Sequence, residues 1–339
     1  MAEIILHPEV EAALLAATPI VLLESAVLTA GMPDAPWREN WEIDALEVAV
    51  PGWNRTESLA LELGRRMEST VREHGAVPCT TAVIDGNLHL GLDEGSLETL
   101  IKRGHGAKAS MTSMSHCMQA GGCAGTTVSG ALLACRILNN SLDRDSNWVP
   151  TLATGGIGGV HRHWQDCPDV SVDLHAMATT RACIVASGSK SILDTSATLE
   201  VLESSGVPVL GWKTGRWPAF ITKTPVDAPC ITRVEDAAEV KRTCSTQWDV
   251  LDLDASILLA NPLDDSLALE SALHDEHAAA GEDAATERGA SGIDRTPFLL
   301  GYMADATKGR SVAANLALLL DNATRAAEIS CLLAGPHLA

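Results

Sequence analysis

Short apolar runs alternate along the chain with longer segments in which apolar residues recur every three or four positions. The short runs predict buried β-strands, and the longer segments predict helices with one face on a core. Strands are expected at residues 20–23, 81–84, 149–153, 182–186, 207–210 and 257–260. This alternation indicates a layered α/β domain in which helices cover a mainly parallel sheet.

Caps and stops mark the expected helices. Residues 57–74 predict a helix that stops at Gly75, with Pro78 just beyond it. Other helices are expected to start near Ser96, Thr126, Ser196 and Ser311. The last of these would run to Leu333 behind a serine cap.

The C-terminal quarter differs in pattern from the rest. Residues 275–295 are polar and rich in Ala, Gly, Asp and Glu, which predicts either a helix with mobile ends or a surface excursion. No repeat and no composition shift divides the chain. We therefore expect one domain of residues 1–339, in which residues 265–339 form a C-terminal helical layer.

Charge narrows the classes of partner. The chain has 24 basic and 44 acidic residues, a net charge of −20, so its surface repels nucleic acids and anionic membranes. A small anion can still bind where a few cations or backbone N–H groups converge. The nine cysteines form no C-x-x-C pair, which is typical of a reduced, cytoplasmic protein. The apolar stretch 12–28 contains Pro19 and Glu24, so we interpret it as core.

Four glycines lie in the segment Thr154 to Arg162, directly after the expected strand at 149–153. Sheets of this class place ligands at the carboxyl ends of their strands, which favours a functional loop. The spacing matches neither the dinucleotide fingerprint nor the phosphate loop, so a nucleotide cofactor is not indicated. A tight structural turn is the alternative.

Oxygen-bearing side chains follow in the segment Asp169-Val170-Ser171-Val172-Asp173. If this segment is extended, its alternation places three of them on one face. Such ligands suit Mg²⁺, Mn²⁺ or a sugar phosphate. The alternative is a pair of helix-capping acids.

Lys190 and Glu24 each follow an expected strand. Lys190 is one of only seven lysines and has small neighbours, so it could lose solvation, lower its pKa and form an imine. An ordinary phosphate-binding or exposed lysine is the alternative. A carboxylate at the position of Glu24 must be paired, protonated or exposed to a cleft, and a raised pKa would suit a general acid. An ordinary surface acid beside a helix is the alternative there.

An ordered series of motifs runs from about residue 20 to the C-terminus. It includes Leu23-Glu24-Ser25, Gly31-Met32-Pro33, Lys108-Ala109-Ser110, Gly125-Thr126-Thr127-Val128, Thr154 to Arg162, Asp169 to Leu174, Lys190 to Asp194, Asn261-Pro262 and Ser311 to Asn315. In this order the motifs resemble the pseudouridine-5′-phosphate glycosidase family, which includes the indigoidine-synthase-A-like proteins.

The resemblance implies a fold, an assembly and a reaction. The fold would be a three-layer α/β/α domain with a large mixed, mainly parallel sheet, assembled as a homotrimer. The enzyme, of hydrolase or lyase type, would cleave or form the C–C bond between uracil and ribose 5-phosphate. Lys190 matches the family's catalytic lysine, Glu24 its proton donor and Asp169 its Mn²⁺ ligand. Residues matching substrate-binding positions, or expected to hold the phosphate, are Lys108, Ser110, Val128, Ser171, Val172, Asp173 and Asn315.

Departures from the family pattern concentrate near the same pocket. Two arginines and an aspartate usually follow the Lys108 motif, but here the chain reads Met111-Thr112-Ser113. Ala30 replaces a usual histidine, and residues 221–225 lack the usual Asp-Ser-Gly pattern. The lysine, the glutamate and the Asp-x-Ser-x-Asp segment are retained. This combination suggests retained ribosyl-phosphate chemistry with a changed base pocket or changed phosphate binding.

Three hypotheses therefore stay open. The first is cleavage or synthesis of pseudouridine 5′-phosphate. The second is a biosynthetic C-glycosynthase that attaches ribose 5-phosphate to a carbon nucleophile other than uracil. The third is a degenerate sugar-phosphate-binding or scaffold protein, which the lost arginines favour and the retained Lys190 and Glu24 disfavour.

Overall fold

A computed structural model of the chain describes residues 2–141, 151–162, 164–166, 168–191, 193–289 and 295–334. Its strands are β1 Ile4–Leu6, β2 Ile20–Leu23, β3 Val77–Ile84, β4 Asn87–Leu90, β5 Lys108–Ala109, β6 Ala124–Thr126, β7 Thr151–Ala153, β8 Val160–His161, β9 Cys183–Ala186, β10 Leu193–Asp194, β11 Val209–Trp212, β12 Thr232–Val234 and β13 Ile257–Ala260. Its α-helices are α1 Pro8–Ala16, α2 Ile43–Ala49, α3 Leu59–Glu73, α4 Glu94–Arg103, α5 Met114–Gln119, α6 Val128–Ser141, α7 Val172–Ala178, α8 Thr195–Ser204, α9 Ala237–Ser245, α10 Ser271–Glu287, α11 Arg295–Ala306 and α12 Arg310–Leu333. Two π-helical turns occur at Val27–Gly31 and Thr246–Val250.

Eleven strands form one sheet. Its main path is β1-β4-β3-β2-β7-β9-β13-β11-β12, and β6 joins it through β3 and carries β5. Only the pairs β3–β4 and β3–β6 are antiparallel, whereas the others in this sheet are parallel. The predicted mixed, mainly parallel sheet is therefore confirmed.

The central strands are apolar at every position because helices cover both faces of the sheet. In β2, Val21 and Leu23 pack into one hydrophobic cluster, while Ile20 and Leu22 pack into the other. This follows from the alternation of side chains along a strand. Helices α3, α9 and α12 contribute to the first cluster, and α1, α6 and α7 contribute to the second. The result is the predicted three-layer α/β/α arrangement.

Most predicted elements exist, with shifted ends. The strands expected at 20–23 and 257–260 match β2 and β13. The strand expected at 207–210 instead begins at Val209, because Pro208 has no N–H to offer a ladder. Residues 149 and 150 of another expected strand lie outside the described residues.

The predicted serine cap of the last helix is wrong. The cap of α12 is Gly309, whose φ of +84° is left-handed. The Cβ of any other residue there would lie 2.7 Å from the Trp37 ring, so the turn requires glycine. Ser311 lies inside the helix, where its hydroxyl accepts a hydrogen bond from Thr307.

The expected C-terminal helical layer contains α10, α11 and α12. Helix α12 packs on the sheet and is buried along most of its length. Of the polar stretch at 275–295, the part up to Glu287 is α10, and residues 290–294 lie outside the described residues. The division of the chain into one domain with this layer stays a prediction.

Two further observations bear on the setting. In the part of the chain that the structure describes, no helix combines the length and apolar character needed to cross a membrane. The eight described cysteines are free thiols, and Cys167 lies outside the described residues.

Candidate active site

The polar residues of the site lie at one edge of the sheet. Strands β2, β7 and β9 are consecutive and parallel, so their carboxyl ends meet at this edge. Glu24 follows β2, Thr154 follows β7, and the segment leading to Lys190 follows β9. Three segments that are far apart in sequence thus converge where α/β sheets place ligands.

Glu24 is a buried carboxyl with few polar partners. The Thr154 hydroxyl donates to its Oε1 at 3.3 Å, and the Val27 N–H donates to its Oε2 at 3.3 Å. Burial raises the pKa of Glu24 above its ordinary value, and the nearby Asp173 charge adds to this, whereas the Lys190 charge acts in the opposite direction. Glu24 therefore keeps a proton to higher pH than an ordinary glutamate does.

Two lysines face Glu24. Burial and the charge of Lys190 lower the pKa of Lys108, and the charge of Glu24 opposes this shift. The side chains of both lysines are exposed to solvent, so the desolvation that the sequence predicted at Lys190 stays a prediction. The positive charge of Lys190 helps Lys108 to lose its proton more easily than an isolated lysine does.

Asp173 is held rigidly by backbone donors. Its Oδ1 accepts from the Ser129 N–H at 2.9 Å, and its Oδ2 accepts from the Gly158 N–H at 3.0 Å. The Ser129 amide belongs to the first turn of α6, directly after Val128. Asp173 therefore joins the N-terminus of α6 to the glycine-rich loop, and it places Val128 beside the site.

The segment from Asp169 to Asp173 is not extended throughout. Ser171 caps α7, which begins at Val172, and its hydroxyl accepts from the Asp173 N–H at 3.2 Å. The helix turns Asp173 inward and leaves the Asp169 carboxylate 63% exposed. The three oxygen-bearing side chains therefore do not share a face, and the cap is the serine between the acids.

The glycines of the loop are required for close approach. A Cβ at Gly158 would overlap Ser171 and lie 2.7 Å from the Asp173 carboxylate, and a Cβ at Gly159 would overlap Thr198. At Gly156 it would lie 3.0 Å from the Phe220 ring. None of these glycines has a positive φ, so the loop is not a left-handed turn.

Hydroxyl groups occupy the place of the missing arginines. The Ser110 hydroxyl contacts those of Thr112 at 2.9 Å and Ser113 at 3.1 Å. The Met111 N–H donates to the Ser129 hydroxyl at 3.3 Å, which holds this turn beside the start of α6. The neutral turn from Ser110 to Ser113 thus lies beside the N-terminus of α6, where the Ser129 N–H donates to Asp173.

Asp169 offers a cation few protein ligands. Its carboxylate lies 3.8 Å from His161 Nε2, and both side chains are largely exposed. Among the described residues, no cluster of three or more His, Cys, Asp or Glu could hold a metal. A cation bound by Asp169 would keep most of its water ligands, a state that Mg²⁺ and similar hard cations accept.

Sequence reasoning missed a buried amide network behind the site. Asn322 Nδ2 donates to the Thr154 carbonyl at 2.8 Å and to the Ser187 hydroxyl at 3.0 Å, and its Oδ1 accepts from Asn261 Nδ2 at 2.9 Å. Asn322 is fully buried in α12, so it ties the ends of β7, β9 and β13 to one helix. The Asn261-Pro262 motif after a strand was the available signal.

Asn315 lies on α12 beside the glycine-rich loop. A Cβ at Gly155 would lie 3.6 Å from its Oδ1. Asn315 also lines a cavity of about 330 Å³, together with Ala30 and Ser191. The predicted site residues are thus brought together with one exception, because Asp169 lies at the exposed rim.

This arrangement supports imine and proton-transfer chemistry. An amine can attack a sugar aldehyde, a protonated carboxyl can deliver a proton nearby, and a fixed carboxylate can orient hydroxyl groups. The two amines and two carboxyl groups that this requires influence each other electrostatically.

Comparisons with known proteins agree with this arrangement. A family profile described as "Indigoidine synthase A like protein" matches residues 38–332. The chain is 37% identical over 328 residues to a pseudouridine-5′-phosphate glycosidase of Sorangium cellulosum, covering 95% of this chain and 91% of that protein. It is also 37% identical over 332 residues to a pseudouridine-5′-phosphate glycosidase of Streptomyces griseus, which covers 97% of this chain and 91% of that protein.

Two solved structures have the same fold. The prealnumycin C-glycosynthase AlnA, solved in complex with ribulose 5-phosphate, aligns with a TM-score of 0.77 and 29% identity. An indigoidine synthase A-like protein of Thermotoga maritima aligns with a TM-score of 0.73 and 28% identity. Each alignment covers 98% of this chain and 97% of the other.

Proposed function

Because the chain belongs to the indigoidine synthase A-like family, we propose that it cleaves or forms the C–C bond between ribose 5-phosphate and uracil, as a pseudouridine-5′-phosphate glycosidase does. The observation that carries this proposal is the convergence of Glu24, Lys190 and Asp173, with mutual electrostatic influence, at the carboxyl edge of the sheet.

A C-glycoside needs an electron sink, because its leaving group is a carbon. In the proposed reaction, the ribose ring opens and the neutral Lys190 amine attacks C1′. Cleavage then leaves an iminium on the sugar while the uracil carbon takes a proton from Glu24, whose raised pKa suits this role. Hydrolysis of the iminium frees ribose 5-phosphate. Asp173, fixed by two N–H donors, orients the sugar hydroxyl groups.

Lys108 and Ser110 are the proposed phosphate ligands. A phosphate dianion would favour the charged form of Lys108, against the desolvation that lowers its pKa. The Ser110, Thr112 and Ser113 hydroxyls form a neutral turn beside it, suited to hydrogen bonding.

Mn²⁺ is the proposed cation, with Asp169 as its protein ligand and His161 as a neighbour. When bound, it supplies positive charge that polarises sugar oxygens. With so few protein ligands it should exchange readily. An Asp169→Asn variant is therefore expected to lose any stimulation by added Mn²⁺ while keeping the thermal stability of the parent.

Product formation resolved by mass tests the reaction. The enzyme is supplied with Mn²⁺, ribose 5-phosphate and uracil, and separately with pseudouridine 5′-phosphate. Interconversion that a Lys190→Ala variant lacks would support the glycosidase function. Absence of both interconversion and a borohydride-trapped ribose 5-phosphate adduct on Lys190 would favour the sugar-phosphate-binding protein instead.

A second candidate function is a C-glycosynthase with a carbon nucleophile other than uracil. The observation that favours it is the altered surroundings of the site, where Ala30 opens onto the cavity and residues 111–113 carry no charge. It predicts a trapped imine on Lys190 but little turnover with uracil. A panel of electron-rich rings, each incubated with ribose 5-phosphate, separates the two functions.

We also propose a homotrimer acting in the cytoplasm. The family resemblance supports the trimer, and the pattern of cysteine usage supports the compartment. Light scattering coupled to size exclusion tests the assembly, with a mass of three times 35.6 kDa expected.

A further inference from the structure

The cavity beside Asn315 has mostly apolar walls. It lies among the π-helical turn Val27–Gly31, α10, α11 and the start of α12, and its volume of about 330 Å³ is in the range of small-molecule sites. Apolar side chains that line it include Ala30, Met32, Phe220, Ile221, Leu299 and Met303. Ser191 also lines it, so the cavity reaches the residue next to Lys190.

Such walls fit uracil poorly. A uracil ring carries two carbonyl groups and two N–H groups, and each of these that meets an apolar wall loses a water partner. Polar side chains such as Arg38, Ser311 and Asn315 line only part of the cavity. An unpaired buried polar group costs about 1–3 kcal/mol. A larger, mostly apolar ring system would instead gain free energy from the same walls.

A buried imidazole stands where this cavity meets the catalytic lysine segment. His274 of α10 is only 7% exposed and lines the cavity. Its Nε2 lies 3.4 Å from the Ser191 hydroxyl, and its Nδ1 lies 3.5 Å from Asp275 Oδ1. The ring is thus oriented through both nitrogens, with Nε2 on the side of Lys190.

We propose that the cavity holds an aromatic acceptor with a ring hydroxyl, and that His274 takes the proton of that hydroxyl. This rests on the proposed function in its C-glycosynthase form. An apolar ring needs an ionised hydroxyl to become a strong carbon nucleophile. His105, His277 and Glu282 also line the cavity, and we choose His274 because its Nε2 contacts Ser191, next to Lys190.

The bond changes balance as follows. The acceptor O–H bond breaks, its proton goes to His274 Nε2, and its electron pair stays on oxygen. A ring π pair then forms the C–C bond to C1′ of the Lys190 iminium, and the C=N π pair moves to the lysine nitrogen. The ring carbon loses its proton to ionised Glu24, which restores aromaticity. The sugar C4′ oxygen finally forms its bond to C1′ while the C1′–N bond breaks, and the hydroxyl proton goes to the lysine nitrogen, which leaves as the neutral amine.

Binding of three probes tests the cavity: 1-naphthol, naphthalene and uracil. Titration calorimetry on the full chain should rank 1-naphthol first, by about tenfold over each of the others. Ala278→Leu, which fills the cavity, should weaken 1-naphthol binding about tenfold. Ala279→Leu is the matched control on the exposed side of α10 and should change nothing. Tighter binding of uracil, or equal binding by both variants, overturns the cavity assignment.

Turnover tests the role of His274. Glutamine at position 274 can still accept a hydrogen bond but cannot take the proton, so His274→Gln should bind 1-naphthol within about threefold of the parent and lose about 100-fold in kcat for its C-ribosylation. An unchanged kcat overturns the role as base. Borohydride trapping of ribose 5-phosphate on Lys190 is measured in parallel. If the parent enzyme forms no trapped adduct, the proposed function is contradicted. The binding results would still decide whether the cavity holds an aromatic acceptor.

Discussion

At the carboxyl edge of β2, β7 and β9, backbone groups of loops and helix termini hold the polar side chains in place. Asp173 accepts two backbone N–H groups, and the strand ends are tied together by Asn322. The adjoining cavity is instead walled by side chains of α10, α11 and a π-helical turn. A site held by backbone groups keeps its geometry when neighbouring side chains are substituted. A site walled by side chains changes its shape with each substitution. The sheet-edge site proposed to bind the sugar phosphate, here called the sugar half, is therefore expected to be general to the family. The cavity proposed to bind the acceptor, here called the acceptor half, is expected to be particular to this chain.

The largest expected effect is on the sugar half. Lys190→Ala removes the amine that forms the imine in the proposed reaction, so turnover should fall by about 10³-fold or more. Lys102→Ala is the control, because Lys102 is exposed and pairs with Glu98 on the surface of α4. Binding of 1-naphthol to the cavity should survive the Lys190 change. A parallel loss of cavity binding would show that the two regions are not separable.

Replacing the proton donor should be nearly as severe. Glu24→Gln keeps the shape but not the proton, so cleavage of pseudouridine 5′-phosphate should fall by about 10²-fold or more. Since the pKa of Glu24 is raised, the parent's cleavage rate should stay high above the usual carboxyl range and fall as pH rises through that raised pKa. A pH profile of kcat/KM checks this. Retention of the same alkaline limb in Glu24→Gln would assign the limb to another group.

The glycine-rich loop should tolerate few substitutions that add a side chain. The new Cβ in Gly158→Ala would overlap Ser171 and press on the Asp173 carboxylate, costing about 1–3 kcal/mol of stability. We also expect about tenfold lower kcat/KM. Gly95→Ala is the control, because only Asp93 Oδ1 lies within 4 Å, at 3.7 Å. Chemical denaturation of both variants measures the difference, and equal stabilities would contradict the close packing.

The smallest effect is expected in the cavity. Ala30→His places an imidazole in the apolar wall and should weaken 1-naphthol binding about threefold to tenfold, with imine trapping on Lys190 unchanged. Ala272→His, on an exposed position of α10, is the control. If Ala30→His reduces the trapping of ribose 5-phosphate on Lys190, Ala30 belongs to the sugar half, and the two regions are not separate.

Local patterns predicted the layers of the fold and candidate site residues that the structure places at one edge of the sheet. Continuous apolar runs required strands buried on both faces, and the residues after them, Glu24 and Lys190, lie at the same sheet edge. The ends of strands and helices were less predictable. Pro208 delays the start of β11 because it has no N–H for a strand partner, and Gly309 caps α12 because a side chain there would meet the Trp37 ring.

The amino-acid sequence by itself determined the fold class and the family and supplied the candidate site residues, because these depend on periodicity and on motifs within single segments. Only the tertiary structure decided that the charges of Lys190 and Glu24 act on Lys108, that Asp169 lies at the exposed rim, and that His274 contacts Ser191 at the edge of a cavity. These properties arise from contacts between segments far apart in sequence; Ser191 and His274, for example, are 83 residues apart. Burial and charge neighbours depend on such contacts, and no local pattern encodes them.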